Sequence, residues 1–226
     1  MKLGSIIFSF LVLGIFLISC ERPPELSSTP FIEYQNVEFK QVNNAQDSLI
    51  VTIRFEDGDG DLGLSNNDTG PPFNEFDFIP DDDGTFMTFS EANGEPPFNS
   101  NDWLIETFIL GDTTVVDTVR IKRNENFNNF FVDFLQKTGE GSYEKINLIK
   151  LLGTNFDGRF QPLNTKGGER PLEGTLRYTM RSFGFLINPI FRNETLKLEI
   201  QIQDRALNRS NVVETPDFIL SELASD

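Results

Sequence analysis

The chain has 226 residues, with 35 acidic and 19 basic side chains, no histidine, one cysteine and 23 phenylalanines, and a formal net charge of −16. Without His or a second Cys it has no Ser-His-Asp triad, no Cys-His dyad, no His-ligated zinc and no thiolate cluster. The acidic excess has no basic stretch to offset it and argues against nucleic-acid binding, while the length suits one domain with a substantial core or two small ones.

Lys2 precedes an uncharged run from Leu3 to Ile18, followed at once by Ser19, Cys20 and Glu21. A helical bilayer crossing needs about 20 apolar residues, so this shorter run fits the h-region of a signal peptide spanning residues 1–19. Leu17-Ile18-Ser19-Cys20 resembles the lipobox of bacterial lipoproteins. That resemblance implies cleavage before Cys20 and acylation of both its sulfur and its new amino group, with palmitate-type chains anchoring the protein. Two or more chains hold stably, at about 0.8 kcal/mol per buried CH₂. Cleavage removes one basic and no acidic residue, which takes the charge to −17, and the phenylalanines that remain are too many for surface decoration. Residues 20–30 carry Pro23, Pro24 and Pro30 with two serines and no apolar periodicity, a composition that favours extended backbone. At about 3.1 Å per residue this tether spans roughly 30 Å.

From Phe31 onward the signals are those of strands. Leu49, Val51, Ile53 and Phe55 alternate with Ile50, Thr52, Arg54 and Glu56, and Leu196, Leu198, Ile200 and Ile202 alternate with polar residues in the same way. Weaker strands are predicted over Trp103–Leu110, Thr114–Lys122, Asn129–Leu135, Tyr143–Ile149 and Thr175–Met180, where Leu176, Tyr178 and Met180 share a face. Turn signals such as Gly70-Pro71-Pro72, Asp83-Gly84, Gly139-Glu140-Gly141 and Asp157-Gly158 punctuate them, and no sustained helical stripe follows the leader. The pattern predicts an all-β, antiparallel sandwich over residues 31–226, with a long loop insertion around 65–100.

The most specific chemistry lies in Asp57-Gly58-Asp59-Gly60-Asp61-Leu62-Gly63, where the strand beginning at Leu49 ends. Three aspartates at alternate positions, separated by glycines, set hard oxygen ligands on a backbone that can curl around a cation. Without a cation each pair at 4 Å repels by up to roughly 4 kcal/mol. The loop is not an EF-hand: with Asp57 as position one, the required Gly is Leu62 and the closing Glu is Asp68, and the flank alternates as a strand. It is read as a strand-end Ca²⁺ loop, with Asp57, Asp59 and Asp61 joined by Asp204 and Asn208 from the segment after the late strand, if both strands end at one pole. Asp81-Asp82-Asp83 is a separate acidic turn whose contiguous side chains diverge.

The acidic loop, the segment Leu172-Glu173-Gly174-Thr175-Leu176-Arg177-Tyr178 and the stretch Asp204-Arg205-Ala206-Leu207-Asn208 together resemble outer-membrane lipoproteins of Bacteroidota, and the acidic loop and Asp-Arg-Ala-x-Asn motif look like strand ends of immunoglobulin-like and cadherin-like modules. The resemblance implies an Ig-like sandwich with calcium, on the periplasmic face or the cell surface; the ligand set of a cadherin junction is incomplete. The function expected is a lipid-anchored, non-enzymatic binding or structural module whose partner is the membrane and an envelope protein or glycan. The alternative is an accessory subunit of an outer-membrane transport or secretion complex. A carboxylate-based glycan-active enzyme, with acid and nucleophile about 5 to 9.5 Å apart, is a third reading, but nothing in the sequence marks such a pair.

Overall fold

In the computed structural model, residues 26–41, 47–110, 113–164, 167–181 and 188–225 are described. The leader and Cys20 lie outside these residues. Among the described residues no helix is long and apolar enough to cross a membrane.

The strongest alternation in the sequence becomes the centre of the fold. Strand β1 (Phe31–Lys40) pairs antiparallel with β2 (Ser48–Asp57), and β2 pairs antiparallel along its whole length with β8 (Leu172–Arg181). The facing sheet is built on β6 (Phe130–Gly139) and β9 (Thr195–Ile202), with β7 (Ser142–Lys145) beyond β6 and the short strands β10 (Val213–Glu214) and β11 (Phe218–Ile219) on the other edge of β9. A last strand, β12 (Ala224–Ser225), crosses back and pairs parallel with β1. With β1, β2, β6, β7, β8, β9 and β10 taken as A, B, C, C′, E, F and G, the sheets read A-B-E and C′-C-F-G. The two sheets make an antiparallel β-sandwich whose strand order is like that of immunoglobulin-like sandwiches.

Leu49, Val51, Ile53 and Phe55 of β2 meet Phe130, Val132 and Phe134 of β6 and Leu196, Leu198, Ile200 and Ile202 of β9 in one buried cluster. Each such side chain contributes about 1.5 to 3 kcal/mol on burial, which is why the two strands of strictest alternation end at the sandwich centre. Leu176 and Met180 of β8 join the cluster, and Tyr178 stacks on Phe130 at 3.9 Å between centroids. The strand expected over Tyr143–Ile149 stops at Lys145. Asn147 accepts from the Lys150 N–H at 2.9 Å and Gly153 closes the turn at φ 74°, so Leu148–Leu152 forms helix α1. Two further short helices, α2 (Asn188–Phe191) and α3 (Leu220–Leu223), complete the described helical segments.

The excursion between β2 and β6 is longer than the loop expected at 65–100. It contains β3 (Phe76–Phe78), β4 (Trp103–Leu110) and β5 (Thr113–Arg123), which form a separate sheet ordered β3-β5-β4. The strands expected at Trp103–Leu110 and Thr114–Lys122 therefore exist but do not belong to the sandwich. Their apolar residues close a second small core, with Trp103, Val119 and Ile121 buried and Phe89 edge-on to Trp103 at 5.0 Å. The Trp103 indole N–H is satisfied by the Pro96 carbonyl at 2.9 Å.

Arg159 pins the base of this excursion. Its guanidinium donates to the carbonyls of Ser65 (3.3 Å), Asp68 (2.9 Å), Phe73 (2.8 Å) and Phe127, and lies 4.3 Å from the Phe127 ring centroid. Five fixed donors on one planar group suit this cluster of converging carbonyls.

Candidate metal centre

In an Ig-like sandwich the B–C and F–G loops emerge at the same pole. Here the first carries Asp57, Asp59 and Asp61 and the second carries Asp204 and Asn208, so the topology brings together segments almost 150 residues apart in sequence. Leu62 and Asp204 form an antiparallel bridge, and the Ala206 N–H donates to Asp61 Oδ2 at 3.0 Å. Leu207 takes a left-handed φ of 69° in this turn, with its N–H on the Asp204 carbonyl at 3.3 Å.

Within the B–C loop, one carboxylate oxygen from each of Asp57, Asp59 and Asp61 lies within 4.8 Å of the others. Asp57 is fully buried, and its Oδ2 accepts the Asp61 N–H at 3.1 Å, which curls the loop back on itself. Its Oδ1 is buried without a hydrogen-bond partner, and so are Oδ1 of Asp59 and Oδ1 of Asp61. Three carboxylates drawn together, each with one buried oxygen lacking a partner, are a costly arrangement unless a cation completes it. Burial raises the Asp57 carboxyl to about 7, helped by the charges of Asp59, Asp61 and Asp204. Burial, with Asp204 and Asp59, raises Asp61 to about 6. Asp204 is also pushed upward by burial, against hydrogen bonds from Asn208.

The donor set fits Ca²⁺. Oxygens around one Ca²⁺ at about 2.3 to 2.6 Å are separated by at most about 5.2 Å, and the ion takes six to eight of them in flexible geometry. Mg²⁺ keeps several waters and uses one or two carboxylates, which suits three converging acids less well. Asp57, Asp59 and Asp61 would hold the ion through their orphaned Oδ1 atoms, with Asp204 beside them. Asn208 reaches the centre through Asp204: its N–H donates to Asp204 Oδ1 at 2.7 Å and its side-chain amide to Oδ2 at 2.8 Å.

The glycines of the loop each meet another segment. A Cβ on Gly58 would stand 2.3 Å from the Leu26 carbonyl oxygen, one on Gly60 2.1 Å from that of Arg170, and one on Gly63 2.4 Å from that of Gln161. Hydrogen bonds accompany the close approaches, from Gly58 N–H to Ser27 O (2.8 Å), from Arg170 N–H to Asp59 O (3.0 Å) and from Leu163 N–H to Leu62 O (3.0 Å). Leu26, Ser27, Gln161, Leu163 and Arg170 are thus part of the site, and the sequence reading did not include them. Their only sequence signal was the spacing of the glycines. Arg205 adds an outer brace, donating to both oxygens of Asp68 at 2.7 and 3.1 Å and lying over the Phe73 ring. That pairing, with the Ser65 N–H, holds the Asp68 carboxyl well below its usual range. Asp81 is half-buried and closes its own turn by accepting from Thr85 and Asp83.

A cleft of about 400 Å³ opens beside the cluster, with Asp59, Asp61, Asn164, Glu169 and Arg205 in its wall. A larger one of about 520 Å³ lies between the base of the excursion and β6, bordered by Arg123, Phe127, Phe131, Asp157 and Arg209. Three of its charged groups are engaged: Asp157 accepts from Val132 and Asn155, Arg209 donates to Gln203 and covers Phe131, and Arg123 pairs with Glu75. Comparison with protein-family models, with curated proteins and with solved structures gives no match for this chain.

Proposed function

We propose that this chain is a lipid-anchored, non-enzymatic protein of the bacterial outer membrane, held through acyl groups on Cys20, whose sandwich is a binding or structural module with one pole stiffened by Ca²⁺. The observation that carries the calcium reading is the fully buried Asp57, whose unpartnered Oδ1 points into a cluster with Asp59 and Asp61. Calcium reverses the sign of the electrostatics there, turning mutual repulsion into shared coordination, and the full burial of Asp57 suits a structural ion. The anchor reading rests on the Leu17-Ile18-Ser19-Cys20 motif. The described residues begin at Leu26 and the strands at Phe31, so a chain from Glu21 contains all of them.

Calorimetric titration of that chain with CaCl₂ tests the metal reading, and no binding heat together with an unchanged melting curve would refute it. Loss of palmitate labelling on Cys20→Ala tests the anchor. The accessory-subunit reading has its own support in the excursion, where Phe98, Ile105 and Val116 stand more than half exposed. An apolar surface of this kind suits a protein partner. Detergent extraction of the intact lipoprotein separates the readings, since a stoichiometric membrane partner favours the subunit.

A further inference from the structure

We propose that the ion at this centre controls the docking of the chain's own N-terminal segment, Leu26 to Ser28, and so sets how far the fold stands from the membrane. The inference rests on the calcium reading given above. Gly58 lies between the first two aspartates of the cluster, and its N–H donates to the Ser27 carbonyl at 2.8 Å. The approach is so close that a methyl group on Gly58 would stand 2.3 Å from the Leu26 carbonyl oxygen and 2.8 Å from the Ser27 carbonyl carbon. The segment continues through a turn, with the Thr29 N–H on Ser27 Oγ at 3.0 Å, to the buried Pro30 and β1. The docking surface for the tether is therefore the backbone of the metal loop itself.

The convergence of the Asp57, Asp59 and Asp61 carboxylates shapes that backbone together with the bonds from the Asp61 N–H to Asp57 and from the Arg170 N–H to the Asp59 carbonyl. Asp57 is fully buried with an orphaned Oδ1, so the loop cannot relieve the repulsion by turning that group to solvent without opening. With the ion the curl is fixed and Gly58 faces Leu26 and Ser27. Without it the closed loop bears the repulsion and opens more often, and each opening frees the Gly58 N–H from Ser27 and loses the concavity that only glycine permits.

The consequence is one of reach. With Leu26 docked, six Cα steps separate Cys20 from the fold, a span of at most about 20 to 22 Å. With the segment released as far as Pro30, ten steps span about 33 to 36 Å. The ion-bound state thus holds the acidic pole closer to the bilayer than the released state allows.

Hydrogen exchange by mass spectrometry on the chain from Glu21, with Ca²⁺ and with chelator, is the test, run beside a calorimetric Ca²⁺ titration. Calcium should slow exchange of Gly58 and of peptides covering residues 26–30 at least ten-fold. Gly58→Ala leaves every carboxylate in place, and should keep Ca²⁺ binding while residues 26–30 exchange fast in both conditions. Binding free energies are reciprocal, so a chain starting at Thr29 should bind Ca²⁺ about ten-fold more weakly than the chain from Glu21, which tests the coupling even if Gly58→Ala does not fold. Ca²⁺ binding with unchanged exchange at Gly58 and residues 26–30, or equal affinity of the two chains, overturns the inference and leaves the metal site standing. Absence of Ca²⁺ binding overturns both.

Discussion

Replacing Asp57 by Asn separates the electrostatic cost of the site from its use. The Asp57 carboxyl is raised from 3.8 to about 7 by burial and by three neighbouring carboxylates. One unit corresponds to about 1.4 kcal/mol, so ionised Asp57 destabilises the ion-free fold by about 4 kcal/mol at pH 8. Asn has the same shape, its oxygen can still accept the Asp61 N–H, and its amide can donate to the orphaned Oδ1 of Asp59 or Asp61. For a domain of this size 1 kcal/mol moves the Tm by about 2 to 4 °C, so Asp57→Asn should melt roughly 10 °C above the unaltered protein in chelator. With Ca²⁺ at 100 times its Kd the unaltered protein should gain about 2.7 kcal/mol, and the variant almost nothing. Differential scanning calorimetry of both chains from Glu21, with EDTA and with CaCl₂, reads all four values. A variant that melts lower than the unaltered protein in EDTA, or that keeps the full calcium increment, would refute the reasoning.

Ion-free stability should also depend on pH with a definite sign. Asp57 and Asp61 titrate near 7 and 6 in the fold against 3.8 unfolded, so the folded state holds more protons between those values, and stability falls as pH rises from about 4 to about 7 and then levels. Saturating Ca²⁺ requires the ionised ligands, so its increment should grow over the same interval; a chelated protein whose Tm climbs steadily from pH 5 to 7 contradicts this. Arg159→Ala removes four charge-assisted hydrogen bonds at the base of the excursion and should cost at least about 3 kcal/mol in urea unfolding, with Arg159→Lys recovering little because an ammonium lacks the fork. Because Trp103 sits in the excursion's own core, its fluorescence transition should precede the far-UV circular dichroism transition in Arg159→Ala, and coincident transitions would show that the excursion and sandwich unfold together. Asn129 is fully buried and bonds both the Phe160 N–H (2.9 Å) and C=O (3.2 Å), so Asn129→Ala should cost about 2 to 4 kcal/mol, and a loss under 0.5 would mean that water replaces it.

The parts legible in the sequence share a physical property, which is that their signal is local. Strands β2 and β9 announce themselves because one face of each is buried along its whole length and the side-chain period is two. The helix after β7 is also local in origin, since Asn147 and Gly153 cap it, but the short apolar run Ile146-Asn147-Leu148-Ile149 reads equally well as a strand. The sheet to which β4 and β5 belong was not legible. Their alternation is that of any half-buried strand, and only the presence of Phe89, Val119 and Ile121 around Trp103 assigns them to a core of their own.

For the candidate metal centre the division is the same. By itself the sequence determined that Asp57, Asp59 and Asp61 alternate with glycines at a strand end, because ligand chemistry and backbone freedom are properties of the residues themselves. Only the tertiary structure decided that Asp204 stands beside them, that Asp57 is shut away from water, and that each glycine is pressed against another part of the chain. Burial and convergence come from the pairing of strands far apart in sequence, and it is burial that turns an acidic turn into a set of oxygens without partners.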